Sequence, residues 1–209
     1  MTLNEAKLIC HTLSAPSKMP CYSFSTPARA CKVGSKLRTV VGSVCEKCYA
    51  YRNFYNCPST VNAMALRLAG LVHPQWVEAM VTLIDKNEST NYFRWHDSGD
   101  VQTIDHLDKI CKVALALPDI KFWLPTREYD FVKKYFADNA CPANLTVRLS
   151  ALMIDGPLPL KLAKQVGAVV SGVSTDKSKV NCPSSKQGNK CLRCRKCWDS
   201  KDPIIYGKH

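Results

Sequence analysis

Between residues 59 and 174 the sequence alternates two hydrophobic periods, and this limits the fold more than any other feature of the chain. The runs NYFRWH, IKFWLP, NLTVRLSAL and GAVVSGV are short, rich in β-branched and aromatic residues, and read as strands. The intervening VQTIDHLDKICKVALAL, EYDFVKKYFADN and LPLKLAKQV read as helices. In the first of these, Val101, Ile104, Leu107, Cys111 and Ala114 form the expected buried stripe. Two further helices precede the first strand. One runs from an N-capping Ser59 to about Val72, with Val61, Ala65, Leu68 and Val72 on one face. The other runs from about Pro74 to Asp85, with proline in its first turn. Strands separated by helices must run parallel, because each helix carries the chain back to the starting edge. RTVVGS, upstream, is the candidate fifth strand. The expected class is α/β, a small or partial (β/α) barrel-like parallel sheet, with a doubly wound open sheet as the alternative.

The flanks have a different character. Residues 1–58 are rich in Cys, Pro and Ser and have few long apolar runs, and residues 175–209 are polar, basic and again rich in cysteine. A chain of 209 residues suits one domain, with these flanks as largely irregular segments around the 59–174 core. A hydrophobic content of 46% fits a globular protein, and no apolar run is long enough to span a membrane. MTLNEAKLIC shows no basic region followed by an apolar one, so the cytoplasm is the expected compartment. Thiols stay reduced there, and the twelve cysteines are therefore expected to bind metal rather than form disulfides.

The closest set is Cys182, Cys191, Cys194 and Cys197. Two consecutive C-x2-C steps bring three thiolates to three corners of a cubane from one short loop, and a more distant cysteine completes it. Zinc sites more often use two separated C-x2-C pairs, so a [4Fe-4S] cluster is the expected cofactor. Trp198 would shield it from water. Upstream, Cys21, Cys31, Cys45 and Cys48 suggest a second cluster, or ligands donated to a shared one. Cys10, Cys57, Cys111 and Cys141 are expected to be unligated. The formal charge of +12 points to an anionic partner, but thiolates and a cluster offset part of it.

Polar residues gather where strands end. FRWHDSGD supplies His96, Asp97, Ser98 and Asp100, LPTRE supplies Thr126, Arg127 and Glu128, and VRLS supplies Arg148 and Ser150. The carboxyl ends of parallel strands share one mouth, where ligands bind in such folds. His96, Asp97, Arg127 and Glu128 are therefore the candidate catalytic residues. His96 would shuttle a proton or bind an anion, Arg127 would hold a carboxylate or phosphate, and Asp97 and Glu128 would act as bases. Asp100 doubles as a candidate helix cap. The chain carries no Walker loop, G-x-G-x-x-G, H-E-x-x-H or G-x-S-x-G motif, which argues against the common nucleotide-binding and hydrolase classes.

Taken in order, PC…C..GSKL…GS.C..CYA, FRWHDSGD, FWLPTRE, VRLSA and CP…C..CR.CWD resemble a family of phage-encoded cysteine-rich proteins and, more distantly, the phage gene-product-eighty-eight family. The likeness runs from about Cys21 to Asp199. It implies a phage protein acting in a bacterial host, with an iron–sulfur cluster. A looser likeness links Cys45, Cys48, Tyr49 and Ala50 to radical S-adenosylmethionine partial barrels. There the first cysteine of the C-x3-C-x2-C signature is missing, since position 41 is Val. S-adenosylmethionine is thus a further conceivable cofactor. The resulting expectation is an iron–sulfur protein acting on an unidentified small molecule, with a host electron donor as partner and no membrane association. The alternative is a zinc-stabilised nucleic-acid-binding module using the basic stretch Lys186–Lys208.

Overall fold

The computed structural model describes residues 1–208. Within them the chain forms six strands: β1 (Ser23–Phe24), β2 (Tyr92–Trp95), β3 (Lys121–Thr126), β4 (Leu145–Ser150), β5 (Val169–Ser174) and β6 (Ile204–Gly207). The described helices are α1 (Leu3–Cys10), α2 (Lys32–Leu37), α3 (Pro58–Gly70), α4 (Trp76–Asn87), α5 (Ile104–Ala116), α6 (Tyr129–Asp138), α7 (Leu160–Val166) and α8 (Lys196–Asp199). Every strand pairs in parallel with the next in sequence, giving the order β1-β2-β3-β4-β5-β6.

That order decides between the two architectures. A doubly wound sheet reverses its strand order at a switch point. Here it never reverses, and the arrangement is that of a partial barrel. Among the described residues β6 does not pair with β1, so the sheet stays open.

Strand alternation sorts the side chains onto two faces. Phe93 and Trp95, Phe122 and Leu124, and Leu145, Val147 and Leu149 join one core with Trp76, Met80, Leu107 and Ile110 from the helices. Fully burying each of these large side chains contributes roughly 1.5–3 kcal/mol. The alternate positions, Arg94, Trp123, Thr146 and Arg148, point the other way. Cysteine-bearing segments cover that second face, with Cys21, Trp123 and Trp198 as a smaller cluster.

Local signals set the helix ends. Thr103 caps α5 by accepting from the His106 N–H at 3.0 Å. Gly167, at φ 67°, ends α7 in the left-handed conformation that glycine adopts without strain. Arg67 of α3 is buried and ties that helix to the β1 edge, donating to the Thr12 carbonyl at 2.6 Å and to Ser25 Oγ at 2.6 Å.

Several sequence expectations change. RTVVGS is not a strand. Val41 is 84% exposed, Gly42 turns the chain at φ 79°, and Val44 N–H then hooks onto the Leu152 carbonyl at 2.9 Å. The outer strands are instead β1, only two residues long, and β6, which lies in the polar C-terminal flank. Helix α3 begins with Pro58 after Cys57, so Ser59 is not the cap. Its inward residues are Met64 and Arg67, whereas Val61 and the following Val72 are exposed. Helix α4 starts at Trp76, after a turn containing Pro74. Val101 is buried ahead of α5, and Ile104 is 40% exposed.

Candidate metal centre and the strand-end mouth

Cys182, Cys191, Cys194 and Cys197 line one pocket, together with Trp198 and Ile204. The backbone holds each of them. Cys182 N–H donates to the Ile205 carbonyl of β6 at 3.2 Å, and Cys191 N–H to the Lys18 carbonyl at 2.9 Å. Cys194 N–H closes a turn onto the Cys191 carbonyl at 2.8 Å. Cys197 sits in α8, which Trp198 nails to the sheet. The Trp198 indole donates to the Phe93 carbonyl at 2.8 Å, and Thr146 Oγ1 donates to the Trp198 carbonyl at 2.6 Å. Trp198 thus backs the pocket from below.

Two guanidiniums lie near Cys197. Arg148 is fully buried and donates only to the carbonyls of Val170, Ser200 and Asp202, leaving Nε without a partner. Arg94 lies over the Trp123 ring at 4.6 Å, and its Nε is also unpartnered. Among the described residues neither has a carboxylate within ion-pair distance. Arg94 is half-buried and has the Asp97 carboxylate nearby, which holds its charge; the fully buried Arg148 has none, and a buried cation without a counter-charge is costly. Burial pushes the Cys197 thiol up to about 11, and the Tyr206 hydroxyl 3.4 Å away and both guanidiniums pull against that shift. Arg148 therefore lies mid-strand on the second face, not at the strand-end mouth. As placed, no three His, Cys, Asp or Glu side chains among the described residues form a ligand set for a metal.

The four upstream cysteines divide. Cys21 belongs with the C-terminal group, buried against Trp123 and Trp198. Cys31, Cys45 and Cys48 gather elsewhere, around Gly34. A side chain at Gly34 would stand 3.6 Å from the sulfurs of both Cys31 and Cys45. Cys48 N–H turns back to the Cys45 carbonyl at 3.2 Å. The chain thus does not bring Cys45 and Cys48 to the pocket of Cys182, Cys191, Cys194 and Cys197. Cys10 and Cys111 are core residues, and burial holds both thiols at about 12.

The strand-end residues mostly brace the structure. Asp97 accepts from Ser23 Oγ at 2.7 Å and Tyr55 Oη at 3.1 Å, and its carbonyl accepts from Tyr49 Oη at 2.5 Å. Glu128 Oε1 accepts the N–H groups of Lys32 and Val33 at 3.0 and 2.9 Å. Asp100 accepts from Thr126 Oγ1 at 2.6 Å and Arg127 N–H at 2.9 Å, so it does not cap α5. Burial raises both Asp100 and Glu128, against the pull of those donors. His96 turns away from the mouth at φ 55°. Its ring sits 5.3 Å from His106 and 6.3 Å from Phe24, with neither nitrogen partnered. Burial and His106 hold it well below the ordinary histidine range. Arg127 remains available, its Nε donating to the Ala151 carbonyl at 3.3 Å.

Sequence reasoning missed Arg94, Tyr49, Tyr55, Tyr206 and Gly34. Arg94 was visible in principle: in YFRW it alternates with Phe93 and Trp95, so it must face away from the apolar core. The tyrosines act from loops and from β6, where no periodicity marks them.

Sheet and site together define a class: a sequentially ordered parallel β/α protein whose second sheet face is covered by cysteine-bearing segments. The chain belongs to the gene product 88 family, whose model matches residues 2–200. No curated protein and no solved structure matches it. Among the described residues no helix is long and apolar enough to cross a membrane.

Proposed function

We propose that this chain is a phage-encoded iron–sulfur protein in which Cys182, Cys191, Cys194 and Cys197 hold a [4Fe-4S] cluster. One observation carries the reading: four cysteines line a single pocket, and the fully buried Arg148 guanidinium beside Cys197 has no carboxylate in ion-pair range among the described residues. A thiolate-bound cluster is anionic and supplies the missing counter-charge. The spacing supports a cluster over a single ion. Zinc draws every sulfur to about 2.3 Å from one point, whereas the corners of a cluster keep its thiolates apart around a pocket. When bound, the cluster supplies one-electron chemistry. The chain's own residues bind it, exclude water through Trp198, and raise its potential through the positive charge of Arg94 and Arg148.

Anaerobic purification tests this directly. The protein is expected to be brown, absorbing near about 400 nm, with about four iron and four sulfide ions per chain from this site. Cys194→Ser should lose that complement. A colourless protein holding only zinc would overturn the reading.

One observation favours a second reading. Lys186, Lys190, Arg193, Lys196, Lys201 and Lys208 are all exposed on the segment that carries these cysteines. In that reading the metal is structural and the cations contact nucleic-acid phosphates, with affinity falling steeply as salt rises. A filter-binding titration at low and high salt separates the two.

A further inference from the structure

The segment from Ala28 to Cys57 presents a physical problem. Ala28, Ser43, Cys45 and Ala50 are its only buried residues, and α2 within it buries none. Hydrogen bonds hold it in place instead. Glu128 holds the start of α2, Tyr49 and Tyr55 hold Asp97, and Val44 N–H holds the β4 exit at the Leu152 carbonyl. The segment is thereby latched across the carboxyl ends of β2, β3 and β4, the edge at which parallel β/α folds bind ligands.

Its charge is one-sided. Between Glu5 and Glu78 the chain has nine lysines and arginines and a single carboxylate, Glu46. Six of these cations, Arg29, Lys32, Lys36, Arg38, Lys47 and Arg52, are exposed on the latched segment. Among the described residues none of the six is in an ion pair. Glu46 is taken up by the Gly42 N–H at 2.8 Å. The carboxylates beneath the segment, Asp97, Asp100 and Glu128, are buried and accept from their own donors. Like charges so placed repel one another until an anion lies across them.

Aromatic rings stand among the cations. The Arg29 and Arg38 guanidiniums lie 5.4 and 3.9 Å from the centre of the Tyr51 ring, and the Tyr51 hydroxyl donates to the Ala28 carbonyl at 3.4 Å. Three stretches of the segment thus meet at one ring, which holds two guanidiniums in place. Phe54 follows Arg52 by two residues and is 83% exposed, on a turn entered through Asn53 at φ 50°. So exposed a ring contributes little to the core.

We infer that this segment is a binding surface for single-stranded nucleic acid, with its six cations along the phosphates and Phe54 stacking on a base. Cations tracking a backbone beside an exposed aromatic ring are the chemistry that single strands require. A duplex is read by a helix or ribbon laid in its groove, and α2, the one α-helix lying wholly in the segment, has six residues. The inference rests neither on the cluster nor on the C-terminal cations.

Fluorescence anisotropy of the full-length protein with labelled oligo-dT and oligo-U of one length, in salt from about 50 to 200 mM, tests it. Either oligomer should bind, and a preference between them tells DNA from RNA. A duplex of that length should bind about tenfold more weakly. Lys36→Gln combined with Arg38→Gln should lower the salt slope by about 1.4. Phe54→Ala should weaken binding about tenfold and leave the slope unchanged. All three side chains are exposed, so circular dichroism should match the wild type. Absence of oligomer binding at the lowest salt would overturn the inference, as would duplex or polyglutamate binding as tightly as the oligomers. Wild-type affinity in both Phe54→Ala and the Lys36–Arg38 variant would also overturn it. Loss confined to Lys190→Gln combined with Lys196→Gln would overturn it in favour of the C-terminal cations.

Discussion

His96 and His106 show how a single position can mislead. Both are buried, their rings meet edge to face, and His106 also packs against Trp76 at 5.6 Å. Among the described residues the only hydrogen bond to the His106 ring is Nδ1 accepting the Gln102 N–H at 3.2 Å. Burial and the nearby Lys109 hold His106 down at about 3. A base held below its ordinary value stabilises the fold above that ordinary value, near 6.5, and loses the contribution as pH falls towards the folded value. Acid should therefore destabilise the protein progressively between those limits. His106→Phe should flatten the dependence in a urea midpoint series from pH 7 to 4. An unchanged slope in the variant would refute the assignment. The sequence shows a histidine after a strand, which reads equally as a catalytic group and as core. Only packing distinguishes them, and packing is not encoded in neighbouring residues.

At the level of elements, the four central strands and the helices between them were legible because each carries its own period over enough residues. Strand β1 has two residues, too few to show one, and β6, as long as β2, lies inside the polar, basic C-terminal flank. Helix α3 was found but turned to the wrong face, because its inward side carries Arg67, whose guanidinium is buried by hydrogen bonds rather than by apolarity. The candidate site divides in the same way. The C-terminal cysteines were legible as a spacing within one loop. The partition of Cys21 from Cys31, Cys45 and Cys48 was not, since it depends on how the latched segment crosses three strand ends. Glu128 is the hinge pin of that latch. Glu128→Ala removes an acceptor shared by two backbone N–H groups and should cost about 1–3 kcal/mol. Hydrogen exchange would show faster exchange at Lys32 and Val33 and throughout α2. Protection in β3 and β4 should remain unchanged. Uniform loss of protection across the sheet would show that the latch is not an independent unit.

Across the whole molecule, the main apolar core and the Cys182–Cys197 segment occupy opposite faces of one sheet. Stability of the sheet should therefore be largely independent of metal, while order of the segment around Cys182–Cys197 should depend on it. Chelation under reducing, oxygen-free conditions is expected to loosen the backbone around the already exposed Lys190, Arg193 and Lys196, so that trypsin cuts there first and leaves a sheet-containing fragment. Simultaneous digestion of both regions would contradict this.

Strand order has a further consequence for biogenesis. Because the sheet is laid down strictly from one edge to the other, the cysteine segment and β6 leave the ribosome after β1–β5. Until then the Arg94–Arg148 face is uncovered on an otherwise complete sheet. On the proposed reading, a cluster delivered during synthesis would meet Arg94 and Arg148 before the C-terminal thiols, with β6 closing the edge only afterwards.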